Sequence, residues 1–110
     1  RCVKGQIFDV AVDIRKDSST FGKYALVELT EENHKMFLVP QGFAHGFVAL
    51  TDDTDFEYMV GGGTYNKESE RAIIWNDPDI GIDWGVEEPL VSEKDSNAPR
   101  FKDVPKDDLF

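Results

Sequence analysis

The stretch Phe8-Asp-Val-Ala-Val-Asp-Ile-Arg15 decides the fold class, because its apolar and polar residues alternate strictly. A period of two is typical of a β-strand with one buried face. One side of this strand would carry the four apolar residues Phe8, Val10, Val12 and Ile14. The other side would carry Asp9, Ala11, Asp13 and Arg15. The stretch therefore predicts a half-buried strand and not a helix.

The rest of the chain continues this β pattern on both sides of Phe8–Arg15. Further strands are predicted at Lys23–Leu29, Lys35–Val39, His45–Leu50, Asp55–Val60 and Arg71–Trp75. The segments between them are rich in turn-forming residues: Asp17–Gly22, Thr30–Asn33, Pro40–Gly42, Asp52–Thr54 and Gly61–Gly63. No segment has the pattern of an amphipathic helix of ten or more residues. Short strands separated by turns predict an all-β sandwich or barrel, with the jelly roll among the candidates.

The sequence changes character near Asp77. Residues 1–76 carry the predicted barrel strands, whereas residues 77–110 are irregular and contain four of the five prolines. We expect one domain over residues 1–110, with the second part forming a tail that wraps the outside of the barrel or reaches a partner. A chain of 110 residues has room for only a modest core.

Charge and composition exclude several functional classes. The chain has 22 acidic and 12 basic residues, and its formal net charge is −10. That charge opposes nonspecific binding to nucleic acid or to an anionic membrane, and the longest apolar runs are too short to cross a bilayer. Cys2 is the only cysteine, so no internal disulfide and no thiolate metal cluster can form. We therefore expect a cytoplasmic protein that binds neither nucleic acid nor membrane.

The most specific motif is Pro40-x-Gly42-x-x-His45. A turn fixed by Pro and Gly delivers the imidazole of His45 onto the next strand, where it would face the interior of the barrel. The same spacing is half of the metal-binding pattern of the cupin superfamily, but the chain has no His-x-His pair, and His34 is its only other histidine. Two isolated histidines make a weak ligand set, so we expect no metal site. A metal-dependent cupin stays open as an alternative.

With its flanking residues, this motif resembles the dTDP-4-dehydrorhamnose 3,5-epimerase family. The resemblance rests on six segments in the family's order: Phe8–Arg15, Ser19-Thr-Phe-Gly22, Pro40–Phe47, Trp75-Asn-Asp-Pro78, Ile82-Asp-Trp84 and Ser92-Glu-Lys-Asp95. It implies a cupin-type jelly roll that forms homodimers and uses no metal or organic cofactor. It also implies inversion of C3 and C5 of a 4-keto-6-deoxyhexose attached to dTDP, on the route to dTDP-L-rhamnose.

The resemblance also implies roles for particular residues. Tyr58 matches the proton donor, and Asp95 matches the carboxylate that orients the catalytic histidine. The substrate-binding candidates are His45, Tyr65 as the ring that stacks on thymine, Glu70, and Lys94. Without the resemblance, the sequence would predict that Tyr58 is a core aromatic and that Lys94 and Asp95 lie in an exposed charged turn.

Two departures from the family pattern limit these expectations. The family's base is a histidine in an Arg-Gly-Leu-His segment, and no residue of this chain matches it. We therefore expect this stretch, which resembles the C-terminal portion of the family, to be inactive by itself. The alternative is a noncatalytic cupin that binds a nucleotide sugar or serves only structurally. The segment Tyr58-Met-Val-Gly-Gly-Gly-Thr-Tyr65 carries one extra residue and lacks the family's lysine. Its glycines give it unusual freedom.

Overall fold

The computed structural model describes residues 1–110, and β-strands are its main regular elements. The strands are β1 (Cys2–Lys4), β2 (Gln6–Asp13), β3 (Tyr24–Thr30), β4 (Phe43–Ala49) and β5 (Asp55–Phe56). One short α-helix, α1 (Glu93–Ser96), and three 3₁₀ turns at Lys67–Ser69, Phe101–Asp103 and Lys106–Asp108 complete the regular structure. The predicted all-β class is confirmed. No helix is long and apolar enough to cross a membrane.

Two antiparallel sheets form from these strands. The larger sheet has the order β3-β2-β4, so β2 is hydrogen-bonded on both edges. In its register, Asp9 lies opposite Val27 of β3 and Phe47 of β4, and Ala11 lies opposite His45. The smaller sheet pairs β1 with β5. Residues directly opposite one another share a face, so this register fixes which side chains of β4 lie beside the carboxylates of β2.

The back face of the larger sheet, which carries Val10, Val12 and Ile14, is the main apolar core. Val10 is only 1% exposed. The side chains that cover this face include Ile73 and several residues of the tail: Ile80, Ile82, Trp84, Phe101 and Leu109. Burial of apolar side chains contributes about 25 cal/mol for each Å² removed from water, so the tail stabilises the sheet although it contains almost no regular structure.

Asp77 fixes the tail against the sheet. Its buried carboxylate accepts hydrogen bonds from the backbone N–H groups of Asp79 (2.7 Å), Ile80 (3.2 Å) and Phe101 (2.6 Å). Burial raises the pKa of this carboxyl group, but the three N–H donors outweigh it and leave the pKa below its ordinary value. Asp77 therefore joins the start of the tail to Phe101, which packs on the back face.

The front face of the larger sheet, which carries Ile7, Asp9, Ala11 and Asp13, is chemically different. At one end, Ile7 packs with Cys2 and Leu29 in a small cluster completed by Val27, Phe37 and Phe56. At the other end is Asp13, which is 1% exposed. The outer strand β4 leaves His45, Phe47 and Ala49 exposed on this side. The front face is thus covered over β2 and open along β4.

Asp13 organises the loop that follows β2. Its carboxylate accepts hydrogen bonds from Arg15 Nε (3.0 Å) and Nη2 (2.9 Å), from the hydroxyl of Ser18 (2.6 Å) and from the hydroxyl of Thr20. Hydrogen bonding to Arg15, followed by that to Ser18 and Thr20, outweighs desolvation and holds the pKa of Asp13 well below its ordinary range. A buried carboxylate is tolerated only with such partners, so the sequence Asp-x-Arg-x-x-Ser-x-Thr determines this loop.

Two predicted strands are wrong, and a third is shorter than predicted. Lys35–Val39 and Arg71–Trp75 are not strands, and only Asp55 and Phe56 of Asp55–Val60 are. The backbone N–H and C=O groups of residues 36–39 form no backbone hydrogen bonds, and the segment 71–75 forms one ladder-like bond, from Ile74 N–H to the carbonyl of Pro99 (2.8 Å). Alternating side chains favour an extended backbone, but a strand also requires a hydrogen-bonded neighbour.

We predict that acid weakens this fold through Asp13. A carboxyl group whose pKa is lower when folded stabilises the native state above its unfolded pKa, near 4, and this contribution is lost as the pH falls below that value. The urea midpoint should therefore fall between pH 5 and pH 2.5, and this fall should be smaller in Asp13→Asn. Asp17→Asn, at an exposed position nearby, is the control. An equal fall in Asp13→Asn and the parent would contradict the prediction.

Candidate functional site

His45 and Asp9 form a hydrogen-bonded pair on the front face. His45 Nε2 contacts Asp9 Oδ1 across the β2–β4 pair. The side chain of Asp9 is 4% exposed and that of His45 is 34% exposed. The buried carboxylate therefore fixes the imidazole at one nitrogen, while the ring keeps an accessible edge. This is the geometry of a histidine held for contact with a ligand.

A row of aromatic rings continues from His45 to Tyr58. The ring centroids of His45 and Phe56 are 6.3 Å apart, and those of Phe56 and Phe47 are 4.5 Å apart. Phe56 also contacts Tyr58, at 5.4 Å. Tilted ring pairs at these separations attract one another. Phe56, in the short strand β5, thus holds Tyr58 near the His45–Asp9 pair, although Tyr58 itself lies beyond the strand and is 65% exposed.

Arg15 packs against the turn that precedes His45. The guanidinium of Arg15 lies 4.8 Å from the ring centroid of Phe43, at the start of β4. Gly42 has φ +91°, and a Cβ atom there would lie 2.6 Å from Cγ of Arg15. Only glycine adopts that conformation without strain and also leaves room for the arginine. The loop organised by Asp13 and the Pro40–Gly42 turn are therefore packed together.

A second group of predicted residues meets around Glu70. The hydroxyl of Tyr65 donates a hydrogen bond to Glu70 Oε1, and the ammonium of Lys94 lies 2.6 Å from Glu70 Oε2. The hydrogen bond from Lys94, followed by that from Tyr65, holds the pKa of Glu70 below its ordinary value. The hydrogen bond that each of these residues donates to Glu70 raises the pKa of Lys94 and the pKa of Tyr65. The ring of Tyr65 is 76% exposed, so its faces are accessible.

Asp95 follows Lys94 in α1 and takes part in neither group. The hydroxyl of Ser92 caps this helix by accepting the N–H of Asp95 (3.1 Å). The Asp95 carboxylate is exposed and makes no hydrogen bond or ion pair within the chain. Within the chain, the carboxylate that pairs with a histidine is Asp9, whose partner is His45 and not the histidine that matches the family's base.

The predicted site residues are therefore divided between two groups. The first joins His45 and Tyr58 through Asp9 and Phe56, and the second joins Tyr65, Glu70 and Lys94. No hydrogen bond or ion pair links them. No group of three or more His, Cys, Asp or Glu side chains is placed to hold a metal ion.

The sequence matches the family described as dTDP-4-dehydrorhamnose 3,5-epimerase over residues 1–103. A protein of that name from Shigella flexneri is 50% identical over 104 residues, which cover 94% of this chain and 57% of that protein. The chain belongs to the dTDP-4-dehydrorhamnose 3,5-epimerase family. It spans only about half the length of the curated relatives that it matches.

Solved structures of this epimerase family have the same fold. A dTDP-6-deoxy-D-glucose-3,5-epimerase from Legionella pneumophila, in complex with dTDP-4-keto-L-rhamnose, gives a TM-score of 0.85 at 37% identity. The match covers 98% of this chain and 57% of that one. A 3′-monoepimerase from Streptomyces bikiniensis, in complex with dTDP-quinovose, gives 0.77 at 34% identity, covering 90% of this chain and 50% of that one. The predicted cupin-type fold is confirmed.

Asp9 is the residue at this site that the sequence analysis did not single out. The alternation of β2 marks it only as one polar position, because a period of two cannot show which carboxylate has a partner. One signal was available. Asp9 lies between apolar residues of its strand, and a carboxylate that is buried there requires a hydrogen-bond donor. His45 is a candidate for that donor.

We predict that Gly42→Ala distorts the turn that carries His45. The positive φ and the contact with Arg15 should cost about 1–3 kcal/mol in the free energy of unfolding, measured by urea denaturation. The amide and ring resonances of His45 should also shift in NMR spectra. Gly63→Ala is the control, since a Cβ there meets no atom within 4 Å. Equal effects of the two substitutions would contradict this role of Gly42.

Proposed function

We propose that this chain serves in the epimerisation of dTDP-4-dehydro-6-deoxy-D-glucose at C3 and C5, which gives dTDP-4-dehydro-L-rhamnose. The observation that carries the proposal is the fixed neighbourhood of His45 and Tyr58 on the front face of an epimerase-family sheet. A C4 ketone acidifies the protons on C3 and C5. A base can then remove each proton, and an acid on the opposite face of the ring can return one.

In this proposal Tyr58 is the proton donor. Its hydroxyl group is exposed beside the front face, and its ring is held by Phe56. A phenol can act as a general acid only where it is positioned against the reacting carbon. His45, oriented by Asp9, contacts the sugar: its Nε2–H is directed at Asp9, so its Nδ1 can accept a hydrogen bond from a sugar hydroxyl. This route needs no metal and no organic cofactor, because the substrate's own ketone stabilises the carbanion.

The second group of residues would bind the nucleotide part of the substrate. The accessible ring of Tyr65 is suited to stacking on thymine, and the ammonium of Lys94 is suited to an anionic ligand. The structure gives Asp95 no histidine partner, so its proposed role as the carboxylate that orients the catalytic base depends on a histidine outside this chain. The buried and unpaired Cys2 supports a cytoplasmic location.

We predict that this chain alone incorporates deuterium at C3 and C5 of dTDP-4-keto-6-deoxyglucose in D₂O very slowly, because neither His34 nor His45 matches the family's base. Exchange should become rapid in a polypeptide that joins this chain to the Arg-Gly-Leu-His segment of an epimerase relative. In that polypeptide Tyr58→Phe should lower the exchange rate about 10²- to 10⁴-fold and leave dTDP affinity nearly unchanged.

Tyr24→Phe is the matched control, since the hydroxyl of Tyr24 meets only the N–H of Asp83, at 3.4 Å. Rapid exchange by the chain alone would show that a base has been overlooked. Binding of dTDP without exchange in the joined polypeptide would favour a noncatalytic cupin that binds nucleotide sugars. Loss of binding without loss of turnover in Tyr58→Phe would remove Tyr58 from the acid role.

We also propose that the chain forms a homodimer. Residues 36–39 are extended with unpaired backbone groups, and Met36 and Leu38 are 76% and 86% exposed. Unpaired extended segments with apolar side chains pair readily with another chain. Sedimentation velocity should therefore show a dimer, and Leu38→Lys should shift it toward monomer. Glu32→Lys, which makes the same change to lysine at an exposed turn position, should not. A monomer at high concentration would contradict the proposal.

A further inference from the structure

Glu70 lies between the two side chains proposed to hold the nucleotide. One carboxylate oxygen accepts the hydroxyl of Tyr65, and the other lies 2.6 Å from the ammonium of Lys94. Each oxygen thus has one partner within the chain, and the carboxylate charge lies beside the ammonium of Lys94.

The contact with Glu70 matters most for Lys94. The chain carries a formal charge of −10, so an anionic ligand depends on local cations for its attraction. In the structure the positive charge of Lys94 is compensated by Glu70, and an anion that approaches Lys94 also approaches the Glu70 carboxylate. Lys94 keeps N–H donors for a phosphate oxygen, but a phosphate bound there meets repulsion from the neighbouring Glu70 carboxylate.

We propose that Glu70 is an inhibitory partner of Lys94: the charge of its carboxylate opposes the binding of the nucleotide's diphosphate to the lysine. This inference rests on the proposed function, since it takes a nucleoside diphosphate as the ligand. It differs from the expectation that Glu70 contacts the ligand directly. If Glu70 contacts the ligand, removing its charge should weaken nucleotide binding. If Glu70 is inhibitory, removing its charge should strengthen nucleotide binding.

The effect should be modest, because the pair is open to solvent. The Lys94 side chain is 67% exposed and that of Glu70 is 34% exposed. Exposed pairs of this kind are weak, which corresponds to a change of about two- to five-fold in affinity. Salt screens exposed charges, so the change should be largest at low ionic strength.

Glu70→Gln tests the proposal with little other change. The glutamine keeps a carbonyl oxygen that can accept the Tyr65 hydroxyl, and it loses the charge that pairs with Lys94. Titration of the 110-residue chain with dTDP in a calorimeter should give a dissociation constant about two- to five-fold lower for Glu70→Gln than for the parent. This gain should shrink in 0.5 M salt.

Two controls separate the pair from general electrostatics. Glu68→Gln removes the same charge two residues away, from a side chain that forms no ion pair, and should change the affinity less. In a Lys94→Met background, Glu70→Gln should give no more gain than Glu68→Gln does. This double-mutant cycle isolates the coupling between Glu70 and Lys94.

The outcomes distinguish this inference from the proposed function. If the parent binds dTDP and Glu70→Gln binds no more tightly than Glu68→Gln, the inhibitory role is wrong and the proposed function stands. A weaker Glu70→Gln complex would show that Glu70 contacts the ligand. If neither the parent nor Glu70→Gln binds dTDP, the inference fails together with the proposed nucleotide site.

Discussion

The alternation of β2 is the constraint on which the rest of the structure depends. β2 is the only strand hydrogen-bonded on both edges, so its register decides what faces each side of the larger sheet. A shift of one residue would turn Val10 and Val12 away from the tail and place Asp9 and Asp13 beneath it, away from their partners His45 and Arg15. The unpaired carboxylates would then cost more than the apolar contacts could offset. The same strand thus specifies the core and the position of the site.

Asp9 and Asp13 are four residues apart on one face of β2 and act in different ways. Asp13 is surrounded by donors from the loop that follows it, and that loop brings Arg15 against Gly42 and Phe43. Asp9 has a single side-chain partner, His45, on the strand that starts at Phe43. One carboxylate therefore fixes where β4 begins, and the other fixes a side chain two residues further along it.

The sequence predicts the elements that neighbouring residues determine better than those that depend on distant contacts. Strand β2 is predicted by its strict alternation, and β3 and β4 by short apolar runs between turns; each of the three has a hydrogen-bonded neighbour. Lys35–Val39 is also a short apolar run next to a turn, but it has no neighbour, which no local pattern can reveal. The Tyr65–Glu70–Lys94 contact joins residues 24 positions apart, so residue types and family resemblance identified its members but could not show that they neutralise one another.

The two groups of site residues are separated where the chain is least constrained. Gly61, Gly62 and Gly63 lie between Tyr58 and Tyr65, and a Cβ at any of them would meet no atom within 4 Å. The extra residue relative to the family pattern falls in this same segment. An insertion there alters no strand register and no packed contact, and a slightly longer loop costs little entropy. The segment can therefore change the distance between the His45–Tyr58 group and the Tyr65–Lys94 group without disturbing either sheet.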